Sequence, residues 1–384
     1  MKTLHTLLAA SVTLAISASA VATELTVNDV TFSPYARVVG GISYINHGYD
    51  AGETGSLTEV ASNQWGTSYF GAKLSVKLDD HFTGIANVES GFGTLNGETN
   101  VEDTLFNRQA NVGIAHDQYG QLTFGTHLML SQDIIDMDPM RFQSIGINTL
   151  VNGINDTFAE NSVVYRSANY AGFEFAAMQK FGGEVSDSER AKAQAVSLHY
   201  QNGGLAVRAI WQASTDEFGR YTGGEYYGLG TQTQWLYAKT AIVAASYQLA
   251  DTKISAGFEQ IKADDAGYLL SYTFDDAADM GWVGVNYQIN DKLVANAAFY
   301  RITMSYSGKQ SNLYALGLNY EFNQHFTFYS TLGYIGNNAI SSTFTSDVGV
   351  NNHSLDYNEV ACEDTADCNG ASQLGGYFGV VLSL

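Results

Sequence analysis

Proline, cysteine and positive charge are all scarce in this 384-residue chain: two prolines, two cysteines, and 18 lysines and arginines against 39 aspartates and glutamates. A net charge of −21 excludes nucleic acid as a partner, because affinity there rests on neutralising phosphates. After the first 22 residues there is no run of 18 consecutive apolar residues, which excludes a membrane-spanning helix. No proline-rich linker, low-complexity tract or charge run divides the chain, so its length reads as one large architecture.

Two cysteines are too few for a disulfide framework. Cys362 and Cys368, close together in "ACEDTADCNG", are expected to form one bridge clipping a loop. The interleaved Glu363, Asp364 and Asp367 read as a solvated acidic loop, with Ca²⁺ binding as the alternative; no cofactor is implied. Catalytic motifs are missing too. There is no G-x-S-x-G, no HExxH and no phosphate-cradling loop, and the histidines after the leader lie scattered from His47 to His353. An enzyme is therefore not expected.

The start of the chain, MKTLHTLLAASVTLAISASAVA, has Lys2, an apolar stretch from Leu7 to Ile16 and small-x-small sites ending at Ala20 and Ala22. It reads as a secretory signal peptide of residues 1–22 ahead of a domain of residues 23–384.

That domain holds 39 glycines, 24 tyrosines and 20 phenylalanines, and its apolar residues recur every second position. In "NLYALGLNYEF", Tyr314, Leu316, Leu318, Tyr320 and Phe322 alternate with Ala315, Gly317, Asn319 and Glu321. "KISAGFEQIK" and "LAVRAIWQ" behave the same way, setting Phe258 against Glu259 and Trp211 against Arg208. This is the half-buried strand signal. Seven links are tight and polar, from LDDH (78–81) to FNQH (322–325), and they alternate with eight longer, acidic stretches, one of them near 45–65. Sixteen strands with seven turns at one end and eight loops at the other predict an all-β fold, a closed antiparallel transmembrane barrel. Tyrosines at both ends of an apolar band suit the interfacial girdles of such a barrel.

"SYFGAKLSVKLDDHFTGIANVESGFG", "LFNRQANVGIAHDQYGQLTFG" and "NSVVYRSANYAGFEFAAMQKFG", within residues 67–182, resemble the general bacterial porins of Gram-negative outer membranes. The resemblance implies a homotrimer of 16-stranded barrels in the outer membrane, touching lipid and lipopolysaccharide, through which ions and small hydrophilic solutes diffuse. It also implies a third loop, about residues 128–160, folded inward to narrow the pore, with acids facing a basic wall. The acids would be Asp133, Asp136 and Asp138, with Arg141 offsetting part of their charge; the wall cations would be Arg37, Lys73, Arg108, Arg166 and Arg208. Tyr69 and Thr126 stand where the family usually has arginine. A thin basic wall in a chain of charge −21 leads to an expected cation preference.

Two alternatives remain. One is a sugar-preferring channel, which a row of lumen aromatics such as Tyr69, Tyr300 and Tyr329 would favour; the other is a barrel serving as adhesin or receptor. Arg108 poses its own puzzle. Strict alternation puts it on the face of Ala110 and Val112. If it enters the pore, these line the lumen, and Gln109 and Asn111 point outward into a subunit interface. The other solution is a bulge that shifts the register.

Overall fold

The period-two segments become one antiparallel sheet that closes on itself. A computed structural model describes residues 24–50, 53–150, 157–183, 185, 188–222, 236–265, 276–305, 308, 310–338 and 372–384. The leader, Cys362, Cys368 and the acids between them lie outside these described residues.

The strands are β1 (Leu25–Val27), β2 (Val30–Asp50), β3 (Glu53–Ser62), β4 (Ser68–Lys77), β5 (Phe82–Phe92) and β6 (Gln109–His116). Next come β7 (Gly120–Leu128), β8 (Phe158–Arg166), β9 (Phe173–Lys180), β10 (Ala193–Asn202), β11 (Leu205–Ser214) and β12 (Lys239–Leu249). The last are β13 (Thr252–Lys262), β14 (Ala277–Asn290), β15 (Leu293–Met304), β16 (Gln310–Asn323), β17 (Phe326–Asn338) and β18 (Ser372–Ser383). Each main strand pairs with the next, and β18 pairs with β2, from Arg37 opposite Ser383 to Ile45 opposite Gly375. β3 and β4 both run antiparallel to β2, β3 along its second half and β4 along its first, so together they fill one wall position. With the stub β1 hydrogen-bonded to β2, the wall is a closed barrel of sixteen positions.

The expected connections are nearly all there. Seven short turns lie between β4 and β5, and then between every second pair up to β16 and β17, all at one end. The exception is the stretch near 45–65. There β2 runs on to Asp50 and β3 starts at Glu53, so ladder pairing occupies most of what reads as loop.

Outward faces carry the apolar series. Tyr314, Leu316, Leu318 and Tyr320 of β16 and Leu332 and Tyr334 of β17 are exposed, while Leu313, Ala315, Tyr329 and Thr331 between them are buried. Apolar outward and buried inward is the reverse of a water-soluble barrel and suits a lipid-facing wall. Aromatic contacts mark both rims: Phe299 lies 5.0 Å from Tyr314 near the long-loop end, and Phe326 lies 5.1 Å from Phe328 beside a short turn.

Arg108 does enter the barrel, by the second of the two solutions. Gln109 is Glu89's ladder partner, and the Arg108 amide also donates to the Glu89 carbonyl at 3.2 Å. Two residues thus oppose one, a bulge at the start of β6. The phase changes there, so Val112 and Ile114 face outward and exposed, and Asn111 donates inside the wall to the Thr126 carbonyl. The placement of Ala110 and Val112 in the lumen is therefore corrected. An arginine facing lipid there would cost about 2–4 kcal/mol at the midplane.

Candidate functional site

The third loop fills part of the barrel. It leaves β7 through a 3-10 helix, Leu130–Met137, and makes a short helical turn at Ile147–Leu150. Met129, Leu130, Ile134, Met137, Met140, Ile145, Ile147 and Leu150 are all buried, and they supply an apolar underside that seats the loop on the inner wall. Polar ties complete the seat. Trp282 Nε1 donates to the Met137 carbonyl at 3.0 Å, and Asn286 Nδ2 to the Pro139 carbonyl at 2.7 Å. Gln143 accepts from Thr331 and Tyr377 and donates to Asn319, which links the loop to β16, β17 and β18. Opposite, the kink between β3 and β4 lets Trp65 reach inward and donate to the Arg141 carbonyl at 3.1 Å.

On the side of the 3-10 helix, charges are paired. Arg166 holds Asp133 at 2.7 and 3.2 Å, and Arg208 approaches Asp133 at 3.5 Å and Asp136 at 3.9 Å. Lys253 donates to the Asp136 carbonyl at 2.6 Å. The expectation that Arg166 and Arg208 stand across the pore from the loop acids is thus corrected. They lie directly against them, and Arg208 is buried.

Asp138 does not line the channel. It is buried, its carboxylate accepting the Tyr300 hydroxyl and the amides of Met140 and Phe142. Burial without a cationic partner pushes its pKa up to about 6, against the pull of those three hydrogen bonds. Its role is to hold a tight turn, in which Arg141 and Phe142 both adopt left-handed backbone (φ 54° and 57°) and Arg141 is left exposed.

Arg37 and Lys73 stand on β2 and β4 of the facing wall, and Arg108 directly precedes β6. The Arg37 guanidinium lies 5.8 Å from the Trp65 ring, and Lys73 Nζ lies 5.6 Å from the Tyr35 ring. Arg108 donates through Nε to Glu89 at 2.6 Å. Among the described residues, Arg37, Lys73 and Arg141 have no carboxylate partner. Tyr300 and Tyr329 are fully buried, so the aromatic row that a sugar channel would use does not form.

Glu89 and Lys253 are site residues missing from the sequence reading. The phase of both was legible: Glu89 falls in step with Asn87, and Lys253 opposite Ile254. Their partners were not, since each lies on a distant strand or loop.

Comparison with known proteins agrees with this architecture. A family model described as Gram-negative porin matches residues 7–340. An outer membrane porin protein of Bordetella pertussis is 23% identical over 309 residues, 70% of this chain and 77% of that one. Among solved structures, the anion-selective porin from Comamonas acidovorans superposes with a TM-score of 0.71 at 15% identity, covering 92% of this chain and all of that one. The in-vitro folded OmpT of Vibrio cholerae gives 0.64 at 17% identity, covering 94% of this chain and all of that one. At these identities the structures speak for the fold alone.

Proposed function

This chain belongs to the Gram-negative porin family, and from that premise we propose a passive diffusion channel whose narrowest part favours anions. The coarser statement stands by itself: it is an outer-membrane porin with a multi-pass β-barrel, and family and fold point to a channel, not an enzyme. Its solutes are ions and small hydrophilic molecules. We include in the proposal a homotrimeric assembly and the division into a leader of residues 1–22 and a barrel of 23–384.

One observation carries the selectivity: Arg37 and Arg141 at the constriction, and Lys73 farther along the same wall, have no carboxylate partner among the described residues. Most acids that would balance them are engaged elsewhere, Asp133 with Arg166 and Arg208, Glu89 with Arg108, and Asp138 in the loop's seat, while Asp136 stays largely exposed at 3.9 Å from Arg208. Net charge alone points the other way, toward cations. Exposed charges act over a Debye length of about 8 Å at physiological salt, so groups at the narrowest point outweigh acids on distant loops.

Single-channel current across a planar bilayer under a KCl gradient tests it. Conductance steps in threes with an anion-selective reversal potential are expected. A cation-selective potential overturns the selectivity, and folded protein without steps overturns the channel reading in favour of an adhesin or receptor.

A further inference from the structure

Positive charge on the outer face of the barrel wall is confined to one sector. Lys239 opens β12 and shares its face with Val243, Lys262 ends β13 on the face of Phe258, and Arg301 stands two residues past Phe299 on β15. Val243 and Phe258 are exposed, whereas the alternate residues Ile242, Ile261 and Tyr300 are buried inside, so these three cations point out of the barrel. The other lysines and arginines of the described strands take the inward phase, as Arg166, Arg208 and Lys253 do. All three outward cations lie at the long-loop end.

Depth decides what they meet. Phe299, 5.0 Å from Tyr314, belongs to the aromatic rim, and Arg301 lies on its loop side by about 7 Å of strand. That is the level at which an apolar wall gives way to lipid headgroups. Two of the three lack a counter-charge. Lys239 is held by Asp264, but Arg301 donates to the neutral Gln310, and neither it nor Lys262 has a carboxylate partner among the described residues. Asp279, on the outward face of β14, accepts from Gln260 at 3.2 Å. Lys262 also sits directly opposite Lys239 in the ladder, an unfavourable pairing of like charges that an anion relieves. Beside them the wall is open. Gly281 lies between Phe258 and Arg301 in the ladder, and a Cβ there would meet only the Gly257 carbonyl oxygen, at 3.8 Å. A shallow groove thus runs from Arg301 over Gly281 toward the exposed Val283.

We propose that this sector docks the phosphate of an outer-leaflet lipid, with Arg301 and Lys262 on the phosphate oxygens and an acyl chain lying over Gly281 and Val283. A guanidinium fork matches two phosphate oxygens, and the ammonium adds a point charge beside it. In a chain of net charge −21, a positive patch at headgroup depth attracts an anionic lipid that the rest of the surface repels. The site follows from the outer-membrane placement of the barrel and does not depend on the ion selectivity proposed above.

Native mass spectrometry of the refolded protein in detergent tests it, with diphosphoryl lipid A in one arm and lipid A stripped of both phosphates in the other. Retained diphosphoryl lipid is expected, with the stripped form bound at least tenfold more weakly. K262Q and R301Q are each expected to weaken binding about fivefold, and together by more than either alone. G281V fills the groove and weakens binding while leaving both charges in place. K292Q removes a charge at the short-turn end, where Lys292 donates to the Phe322 carbonyl, and is expected to bind like wild type. A sheet circular-dichroism signal equal to wild type shows that each variant is folded. Equal binding of the two lipids, a loss in K292Q as large as in R301Q, or wild-type binding by the doubly substituted protein overturns the site. Wild-type binding by G281V overturns the acyl path.

Discussion

Arg166 grips Asp133 with both terminal nitrogens, at 2.7 and 3.2 Å, across 33 residues of sequence. This contact neutralises a loop acid beside the wall and sets part of the charge balance of the pore. A unit charge about 6 Å away in water is worth ~0.7 kcal/mol, or roughly threefold in local ion concentration. R166Q is expected to leave Asp133 with Arg208 alone and move the reversal potential toward cations, and D133N to move it toward anions, each by about that factor. Shifts of the same sign for both variants would sink the assignment.

Glu89 and Arg108 give a second charge test. Gln at position 89 keeps an acceptor oxygen for Arg108 Nε and can donate its amide nitrogen to the Tyr35 hydroxyl oxygen, while removing the charge. E89Q is expected to raise the anion-to-cation permeability ratio about threefold, with single-channel conductance within about a fifth of wild type. An unchanged ratio would mean that Glu89 is electrically silent in the pore.

The seat of the third loop depends on pH through Asp138. Its pKa is raised by burial, from 3.8 to about 6, so the protonated form is the one the docked loop prefers. The stabilisation is fully present below about pH 4 and is lost as pH rises through about 6, at most about 3 kcal/mol for a shift of this size. Gating noise is expected to be lower at pH 5 than at pH 7.5, and D138N is expected to flatten the dependence. Noise that grows on acidification in wild type would contradict the sign.

Gly257 makes room for Trp282. A Cβ at position 257 would lie 2.1 Å from the Trp282 ring, whose Nε1 holds the Met137 carbonyl. G257A is expected to displace the indole, cost about 1–3 kcal/mol of stability and loosen the loop, read as lower thermal stability and more frequent brief closures. A variant as stable and as quiet as wild type would show that the indole has another position.

At the short-turn end, His81 donates to Asp117 at 3.0 Å, and this contact raises the His81 pKa. The contribution is full below about pH 6.5 and fades as pH rises through the folded value, so D117N is expected to lower the His81 titration midpoint in NMR. An unmoved midpoint would rule the pair out as its cause.

Much of this protein is decided by alternation alone. Leu316 and Leu318 must share a face because strand side chains point to opposite sides in turn, and tight polar links such as LDDH must reverse the chain. From these follow the strand count, the outward apolar band and the rims of aromatics. The inward phase of Lys253 and Arg208 was legible for the same reason. Arg108 marks the limit, since one inserted residue at a bulge reverses the phase and the pattern carries no sign of where that occurs. The third loop marks another. Asp133, Asp136 and Asp138 look alike in sequence, yet one is paired with wall arginines, one is exposed, and one is buried under Tyr300. Which acid faces water depends on how the loop is seated on strands up to 234 residues away, as in the Gln143 contact with Tyr377. Local pattern fixes the barrel, because every strand obeys the same short-range rule. Only the closed tertiary structure fixes the charge of the pore, because that is a sum over pairs brought together from distant parts of the chain.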